Sequence, residues 1–329
     1  MRIAVLGAGA MGAIFGSAFA RAGAEALFFD NRSDVVEAIK SNGLVLDGAL
    51  GATTARFFAT TLAAELGTVD LALVLVDSTA TATVADVTAE CLGERGCALT
   101  LQNGIGNWEA LAARIGHKRV LAGSTYNSGA GLGPGRARHT NLGPTIIGEA
   151  AGAPTERVRE IARLLETGGL PVEVTDNVQG HIWSKFVHNC AINPVSAVTR
   201  LRPGEIARTK AAAGLLDQIL DEVLAVVATA GIRLPEADPR KQIRDHCWER
   251  YNRPSMLQHL EGGRVTEIDA LNGALVDLAR QLGVPVPVNQ AIVRMVKALE
   301  AAIGGRTTGL DESALEQSAR RTPRGDSWG

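Results

Sequence analysis

The sequence predicts an α/β protein in which a doubly wound parallel sheet is followed by an all-helical domain. Three observations support this fold class. Apolar runs of strand length alternate with helical patterns in the first half of the chain, a glycine-rich turn joins the first strand to the first helix, and strand patterns stop near residue 176. A chain of 329 residues is also long enough for two domains. We therefore predict a sheet domain over 1–176, a helical domain over 177–303 and a polar tail over 304–329.

The composition excludes several classes of partner. The formal net charge is −2, from 33 Lys and Arg against 35 Asp and Glu, so no basic surface for nucleic acid or a membrane is predicted. Aromatic residues make up 4% of the chain, which disfavours a base-stacking platform. The four cysteines have neither a CxxC nor a metal-ligand spacing, so we expect free thiols and no metal. No run has the length of a secretory signal or a membrane span, and a cytoplasmic protein is expected.

The first element, over 3–6, is a continuous apolar run typical of a strand buried on both faces of a parallel sheet. It leads into a glycine-rich turn and then into a helical pattern that ends near Gly23. Strand, GxGxxG and helix in this order are the context of a dinucleotide-binding turn. The glycines permit a tight turn and close approach to a pyrophosphate, and the helix N-terminus offers free N–H groups. The predicted cofactor-binding residues are Gly7, Gly9, Ala10, Met11 and Gly12.

The second strand, over 26–29, ends at Asp30. An acidic residue at this position is placed to bind the ribose 2′-hydroxyl of NAD and to repel the 2′-phosphate of NADP. Arg32 lies two residues further on and could pair with that phosphate instead. A turn with a helix cap is the alternative that involves no cofactor. The pattern favours NAD and leaves the use of both cofactors open.

The next elements complete the predicted sheet domain. Asn103 follows one of its strands, and the carboxyl end of a parallel strand is where a doubly wound sheet binds ligands. Asn103 is therefore a site candidate, and a glycine-rich turn is the structural alternative. Helices are expected over 34–42, 80–92 and 155–167, short edge strands over 48–61, a loop over 129–135, and further strands over 69–76, 97–101, 120–126, 137–141, 145–148 and 172–175.

The second half of the chain carries one face with unusual chemistry. Lys185, Asn189 and Asn193 stand at spacings of four residues, which places them on one side of a helix whose other positions are apolar. A lysine and two amides in an embedded helix need partners, either neighbouring protein groups or a polar ligand. A solvated lysine with amides that cap local backbone is the alternative. Helical patterns cover 181–200, 205–230, 238–250, 264–282 and 287–302.

With these residues in view, the chain resembles the ketopantoate reductase (2-dehydropantoate 2-reductase) family over about residues 1–303. The first of the shared motifs occurs in many dehydrogenases, whereas the last three are specific in their order and spacing. The motifs are GAGAMG at 7–12, LQNGIG at 101–106, Trp183-x-Lys185 with Asn189-Cys-x-Ile-Asn-Pro194, Pro254-Ser255-Met-Leu-Gln258, and Thr266-Glu267-Ile-Asp269.

The resemblance implies a Rossmann domain joined to a helical domain, with the active site in the cleft between them. It also implies hydride transfer from a nicotinamide cofactor, NADP by family default, to a 2-oxo acid. Ketopantoate to pantoate, a step of pantothenate biosynthesis, is the default reaction. Lys185 matches the residue that protonates the carbonyl oxygen, and Glu267 matches a carboxylate that contacts the substrate hydroxyl. The other matched residues are Asn189, Asn193, Asn252 and Ser255 for the substrate and Asn103 for cofactor or substrate.

Lysine suits the role of proton donor because hydride addition leaves negative charge on the carbonyl oxygen. Its reference pKa of about 10.4 is too high for an efficient acid at neutral pH. Partial burial of Lys185 is expected to lower that pKa, and the Glu267 carboxylate is expected to raise it.

One position departs from the family pattern. After the strand over 69–76 the family commonly has Lys and, three residues later, Gln, whereas this chain has Asp77 and Ala80. An anion at this place weakens binding of an anionic 2-oxo acid or of a phosphate-bearing cofactor. The change fits a switch to NAD, and it fits equally a different 2-oxo or 2-hydroxy substrate. A non-catalytic dinucleotide-binding sensor is a third hypothesis, which the full set of site residues disfavours, and a homodimer is expected from base rates alone.

Overall fold

The fold is given by a computed structural model, which describes residues 1–304. Strands and helices alternate up to Val174, and the chain is helical from Val178 onward. The strands are β1 Arg2–Leu6, β2 Glu25–Phe29, β3 Leu44–Gly48, β4 Thr53–Ala55, β5 Phe58–Thr60, β6 Val69–Val74, β7 Leu92–Thr100, β8 Val120–Thr125, β9 Ser128–Gly133, β10 Arg136–Asn141, β11 Thr145–Glu149 and β12 Val172–Val174. The helices are α1 Ala10–Arg21, α2 Ser33–Asn42, α3 Thr81–Cys91, α4 Asn107–Ile115, α5 Glu156–Thr167, α6 Val178–Thr199, α7 Pro203–Arg208, α8 Lys210–Thr229, α9 Pro239–Glu249, α10 Ser255–Glu261, α11 Ala274–Leu282 and α12 Pro287–Gly304. The predicted polar tail, beyond its first residue, lies outside the described residues.

Eight strands form the main sheet, in the order β12-β11-β8-β7-β6-β1-β2-β5. Neighbouring strands are parallel except β8 and β11, which are antiparallel. The two faces of β1 enter different cores. Ile3 and Val5 pack with α1 and α5, whereas Ala4 and Leu6 pack with α3 and α4. Helices therefore cover both faces of the sheet, and the predicted fold class, a doubly wound sheet followed by helices, is confirmed.

A second sheet of four strands, in the order β4-β3-β10-β9, packs on α1. The prediction of a loop over 129–135 is wrong, because β9 covers Ser128–Gly133 and pairs antiparallel with β10. A β carbon at Gly129 would lie 2.8 Å from Ile14 Cδ1 and 3.0 Å from Ala10 Cβ, so glycine lets this strand lie close to α1. The strand β9 forms because it packs on α1 and pairs with β10. Neither contact requires alternating apolar residues, so the sequence shows no strand pattern here.

The helical part departs from the sequence predictions in three places. The helix predicted over 205–230 is divided into α7 and α8, because Thr209 between them has an extended backbone. The helix predicted over 264–282 starts only with a π turn at Asp269–Gly273, which continues into α11. Glu300 Oε1 accepts both the N–H and the hydroxyl of Thr266, at 2.7 and 2.6 Å, and so holds the preceding residues out of the helix. Helix α10 is absent from the predicted elements.

Helix α6 connects the main sheet to the helical part, since it contacts β8 and β11 as well as α8, α10 and α12. It contains Pro194, which has no N–H, so the carbonyl of Cys190 lacks its usual helical donor. The side chain of Asn272 replaces that donor, with Nδ2 lying 3.0 Å from the Cys190 oxygen. The helix therefore continues past the proline without a buried, unpaired carbonyl.

Within residues 1–304 no helix is both long enough and apolar enough to cross a membrane. In the same part of the chain no three His, Cys, Asp or Glu side chains are grouped so that they could hold a metal ion. The four cysteines are buried as free thiols.

Candidate active site

The turn between β1 and α1 has the shape that a pyrophosphate needs. Gly7 has a φ of +105°, and a β carbon at Gly12 would lie 2.0 Å from the Gly7 carbonyl oxygen, so glycine is required at both positions. A β carbon at Gly9 would meet no atom within 4 Å, which leaves open space beside the turn. No side chain caps α1, so its first N–H groups, those of Ala10 and Met11 included, remain available to an anion. The residues of this turn therefore fit a dinucleotide.

Asp30 lies at the end of β2, beside this turn, and is only 7% exposed. Its Oδ2 accepts the N–H of Ala8 at 2.9 Å, and its Oδ1 accepts the N–H of Arg32 at 3.0 Å. The guanidinium of Arg32 folds back on the same carboxylate, with Nε 3.1 Å from Oδ1, and this contact raises the pKa of Arg32. Asp30 and Arg32, which the sequence offers as alternative partners for the ribose end of the cofactor, thus form an ion pair with each other.

Lys185 lies on α6 and is partly buried. Its Nζ donates a hydrogen bond to the carbonyl oxygen of Thr125, at the end of β8, over 2.7 Å. Burial lowers the pKa of Lys185 to about 8, and the Glu267 carboxylate acts in the opposite direction. Of the two effects expected from the sequence, burial is the larger. The side chain can therefore exchange a proton close to neutral pH.

His188 follows Lys185 by less than one helical turn but adds no charge to the site. Its ring packs edge-on against that of His246, with the centroids 4.3 Å apart. Burial lowers the pKa of His188 to about 3. The imidazole is therefore neutral at physiological pH, and Lys185 is the titrating cation of this face.

Glu267 comes from the segment after α10 and meets the loop that follows β7. Asn103 Nδ2 donates a hydrogen bond to Glu267 Oε2 over 3.2 Å. Burial raises the pKa of Glu267, while the hydrogen bond from Asn103 and the charge of Lys185 both lower it. The structure thus brings together Lys185, Glu267 and Asn103, three of the residues that the sequence singled out.

The loop that carries Asn103 is held by residues that sequence reasoning missed. The Asn103 carbonyl accepts a hydrogen bond from the hydroxyl of Ser78 at 2.6 Å and another from Asn107 Nδ2 at 2.8 Å. A β carbon at Gly104 would lie 2.7 Å from the carbonyl oxygen of Ala270, so the loop packs directly on the π turn. The local spacing of Asn103 and Asn107 could have indicated this contact, whereas no sequence signal marks Ser78.

Among the described residues, four other predicted site residues form no side-chain hydrogen bond with Lys185, Glu267 or Asn103. Within residues 1–304 the carboxamides of Asn189 and Asn193 are not hydrogen-bonded to another protein group, and neither has a buried polar atom left unpaired. Asn189 is partly exposed, whereas Asn193 is only 6% exposed. Ser255 begins α10, which packs on α6, and Asn252 lies in the exposed segment before it.

Asp77 follows β6 at the same edge of the sheet and is exposed. Its charge raises the pKa of Glu267, contributes to the raised pKa of Arg32 and opposes the lowering of the His259 pKa by burial. An anion therefore lies within electrostatic range of both the ribose end and the Glu267 end of the site. Ala80, the other departure from the family pattern, ends the short turn at Ser78–Ala80.

Two family models match the chain. The one described as "Ketopantoate reductase PanE/ApbA" matches residues 3–152, and the one described as "Ketopantoate reductase PanE/ApbA C terminal" matches residues 177–300. The chain is 32% identical over 304 residues to the 2-dehydropantoate 2-reductase of Archaeoglobus fulgidus, with 92% of this chain and 99% of that one covered. It is 30% identical over 299 residues to the 2-dehydropantoate 2-reductase of Halobacterium salinarum, with 90% and 98% covered.

Solved structures share the fold over most of the chain. A PanE/ApbA family ketopantoate reductase from Ralstonia eutropha superposes with a TM-score of 0.85 at 32% identity, over 92% of this chain and 100% of that one. The ternary structure of D-mandelate dehydrogenase with NADH and anilino(oxo)acetate superposes with a TM-score of 0.84 at 25% identity, again over 92% and 100%. Both likenesses extend over the sheet and the helical part.

Proposed function

The chain belongs to the ketopantoate reductase family, and from that premise we propose that it reduces a 2-oxo acid with hydride from a nicotinamide cofactor. The default reaction is 2-dehydropantoate (ketopantoate) to pantoate, a step of pantothenate biosynthesis. The observation that carries the proposal is the partly buried Lys185 ammonium with the Glu267 carboxylate near it. Such a pair can protonate a carbonyl oxygen and orient a hydroxyl group of the same substrate.

A nicotinamide cofactor held by the turn between β1 and α1 would supply the hydride, and Lys185 supplies the proton. Hydride addition leaves negative charge on the carbonyl oxygen, and an ammonium within hydrogen-bond reach stabilises this charge and then donates a proton from Nζ. With a pKa of about 8, Lys185 is mostly protonated at neutral pH and is a stronger acid than an exposed lysine. One N–H of the ammonium is held by Thr125, which leaves two for the substrate. The neutral amine afterwards takes a proton from water.

Glu267 orients the substrate. Its carboxylate accepts one hydrogen bond from Asn103 and keeps further lone pairs that can accept a substrate hydroxyl. Because burial raises its pKa, Glu267 binds a proton at higher pH than an exposed glutamate does. The ionised form is the one that accepts the hydroxyl, so activity requires a pH above this pKa.

The uncharged polar residues hold the remaining ends of the substrate. Asn189 and Asn193 lie one and two turns beyond Lys185 on α6, and we assign the partly exposed Asn189 amide and the more deeply placed Asn193 amide to the substrate carboxylate and the reacting carbonyl oxygen. Asn252 precedes α10 and Ser255 begins it, and the packing of α10 on α6 supports a role for both residues on the helical side of the substrate. Hydrogen bonds of this kind fix the substrate relative to the proton donor.

We assign NAD as the preferred cofactor. The carboxylates of Asp30, Asp34 and Asp77 all act on Arg32, and the guanidinium is already paired with Asp30. A 2′-phosphate would add negative charge to this group, whereas the ribose hydroxyls of NAD can donate to Asp30. The preference departs from the NADP default that the resemblance implies.

The test is the decay of nicotinamide absorbance when the full-length protein is given ketopantoate, with NADH and NADPH in parallel. We expect turnover with a higher kcat/KM for NADH. Lys185→Met should lower kcat by about 10²-fold or more, the usual contribution of a general acid, while cofactor binding followed by fluorescence persists. Lys118→Met, at an exposed lysine, is the matched control. Dinucleotide binding without turnover of any 2-oxo acid would contradict the proposal and favour the sensor hypothesis.

The charge of Asp77 favours a second candidate, an NAD-linked reductase of a different 2-oxo acid. An anion close to Glu267 disfavours a substrate that brings its own negative charge to that end. A panel of 2-oxo acids that differ in the charge and aromatic character of the group beyond the carbonyl separates the candidates. If another 2-oxo acid of the panel gives a higher kcat/KM than ketopantoate, that compound is the better candidate substrate. The proposed chemistry would stay the same.

A further inference from the structure

A buried set of polar side chains connects the second sheet to Lys185. The set consists of Thr125, Asn127, His139 and Thr145, each no more than 6% exposed, and is named here the Asn127 network. Thr125 ends β8 and is paired with Thr145 of β11, while His139 belongs to β10 of the second sheet. Thr125 is also the residue whose carbonyl oxygen accepts the hydrogen bond from Lys185 Nζ. The Asn127 network therefore includes the residue whose carbonyl oxygen binds the Lys185 ammonium.

Asn127 is the centre of this network. Its Nδ2 lies 2.7 Å from the Gly143 carbonyl oxygen, 3.0 Å from Thr125 Oγ1 and 3.1 Å from Thr145 Oγ1. Its backbone N–H donates to Thr125 Oγ1 at 3.1 Å, and the two threonine hydroxyls lie 2.9 Å apart. The side chain of Thr125 is thus held by three contacts at hydrogen-bond distance, which fixes the residue and its carbonyl.

The orientation of the Asn127 amide defines the state of His139. The Gly143 carbonyl can only accept, so the amide atom that faces it is the nitrogen, and Oδ1 faces His139 Nε2 at 2.9 Å. His139 Nε2 therefore carries a proton and donates. Burial lowers the pKa of His139, which keeps the ring neutral. The second sheet in this way holds Asn127 in the orientation that Thr125 needs.

We propose that Thr125 and Asn127 are positioning residues for Lys185: the Asn127 network holds the Thr125 carbonyl, and this carbonyl sets the place and the acidity of the ammonium. The inference rests on the proposed role of Lys185 as the proton donor. A carbonyl that accepts a hydrogen bond from an amine favours its charged form, against the effect of burial. Displacing the carbonyl therefore makes the ammonium more acidic and moves it away from the position it needs for proton transfer.

The first readout needs neither substrate nor cofactor. The chain has six lysines, so NMR of the protein labelled at the lysine Cε follows six titrations, and Lys185→Arg identifies the resonance of Lys185. The Glu267 carboxylate is the charged group that acts on Lys185, and the ring of His188, three residues further along α6, is neutral over this pH range. We expect a wild-type midpoint of about 8. Thr125→Val keeps the shape of the side chain but removes Oγ1, and the midpoint should fall by about half a unit to one unit.

Three further variants make this result specific. Thr145→Val removes the other hydroxyl and should lower the midpoint in the same direction, and it carries the test if Thr125→Val does not fold. Thr125→Ser keeps Oγ1 and should restore most of the wild-type titration. Ser128→Ala removes an exposed hydroxyl next to Asn127 whose partner is Thr140, outside the network, and should leave the midpoint in place. Unchanged midpoints in both valine variants, or an equal shift in Ser128→Ala, would overturn the proposal.

Activity provides the second readout. In Thr125→Val the reductive kcat should fall about tenfold or more with a smaller change in KM, and the alkaline limb of its pH profile should move to lower pH with the NMR midpoint. A general loss of folding stability would lower activity without moving this limb. If the wild-type protein turns over no 2-oxo acid, the proposed function fails, but the NMR titrations still decide whether the network controls Lys185.

Discussion

Asn103 and Glu267 are separated by 164 residues, and the Asn103 side chain donates a hydrogen bond to Glu267 Oε2 over 3.2 Å. The contact joins the loop after β7 in the main sheet to the segment between α10 and α11. Lys185, on α6, comes from a third part of the chain and lies within electrostatic range of the Glu267 carboxylate. The site is therefore complete only when the helical part is packed against the sheet.

Removing this hydrogen bond should weaken catalysis. In Asn103→Ala we expect kcat/KM to fall by about 10- to 100-fold, since a hydrogen bond to a charged group contributes about 1.5–3 kcal/mol. The Asn103 contact lowers the pKa of Glu267, so its loss should raise that pKa and move the acidic limb of the pH profile to higher pH. Steady-state kinetics across pH measures both effects. Asn42→Ala, at an exposed residue, is the control, and an acidic limb that stays in place would contradict the role of Asn103.

The pH dependence of reduction should report Lys185. A proton donor must be protonated, and a lysine loses its proton as the pH rises through its pKa, so kcat should fall as the pH rises through about 8. In the oxidative direction the amine must be neutral, and the same group should give a limb of the opposite sign. Lys185→Arg keeps the charge but removes the acidity, and it should lower kcat and remove the limb. A limb at the same pH in Lys185→Arg would assign it to another group.

Neutralising Asp77 should improve binding of an anionic substrate. In Asp77→Asn we expect KM for ketopantoate to fall about two- to fivefold, the scale of one partly screened charge at this range. The same change should lower the pKa of Glu267, because Asp77 raises it. Asp86→Asn on α3, also exposed, controls for net charge. If KM falls equally in both variants, the effect is not local to Asp77.

The proline in α6 should be coupled to Asn272. Asn272→Ala leaves the buried carbonyl of Cys190 unpaired, and we expect the free energy of unfolding to fall by about 2–3 kcal/mol. Pro194→Ala gives the helix an N–H at the position that can bond this carbonyl. In a Pro194→Ala background the cost of Asn272→Ala should therefore be smaller by about 1 kcal/mol, measured by urea denaturation of all four members of the cycle. Additive costs would show that the two residues act independently.

Some elements could be predicted because their requirements are local. The strand, glycine turn and helix at 3–22 follow each other directly in the chain, and the turn needs glycine for reasons that concern its own backbone and nearest neighbours. The face of α6 that carries Lys185, Asn189 and Asn193 follows from helical periodicity alone. Neither inference requires knowledge of which distant segments meet.

Other elements depend on contacts that leave no local pattern. The strand β9 consists largely of glycine and small residues and forms because β10 and α1 lie beside it. The residues before the π turn stay out of a helix because Glu300 binds Thr266 across 34 residues of chain. Propensity and apolar spacing describe a segment by itself, so contacts of this kind override them.

The sequence by itself determined that the chain has a dinucleotide-binding turn, a helical half and one lysine on a polar helix face, because residue spacing within a strand, turn or helix decides these features. The tertiary structure decided what the polar residues do with one another. It paired Arg32 with Asp30, Glu267 with Asn103 and Lys185 with the Thr125 carbonyl, and it made burial outweigh the charge of Glu267 in setting the pKa of Lys185. The physical reason is that burial and long-range hydrogen bonds depend on which surfaces face each other after packing, and a linear pattern does not contain that information.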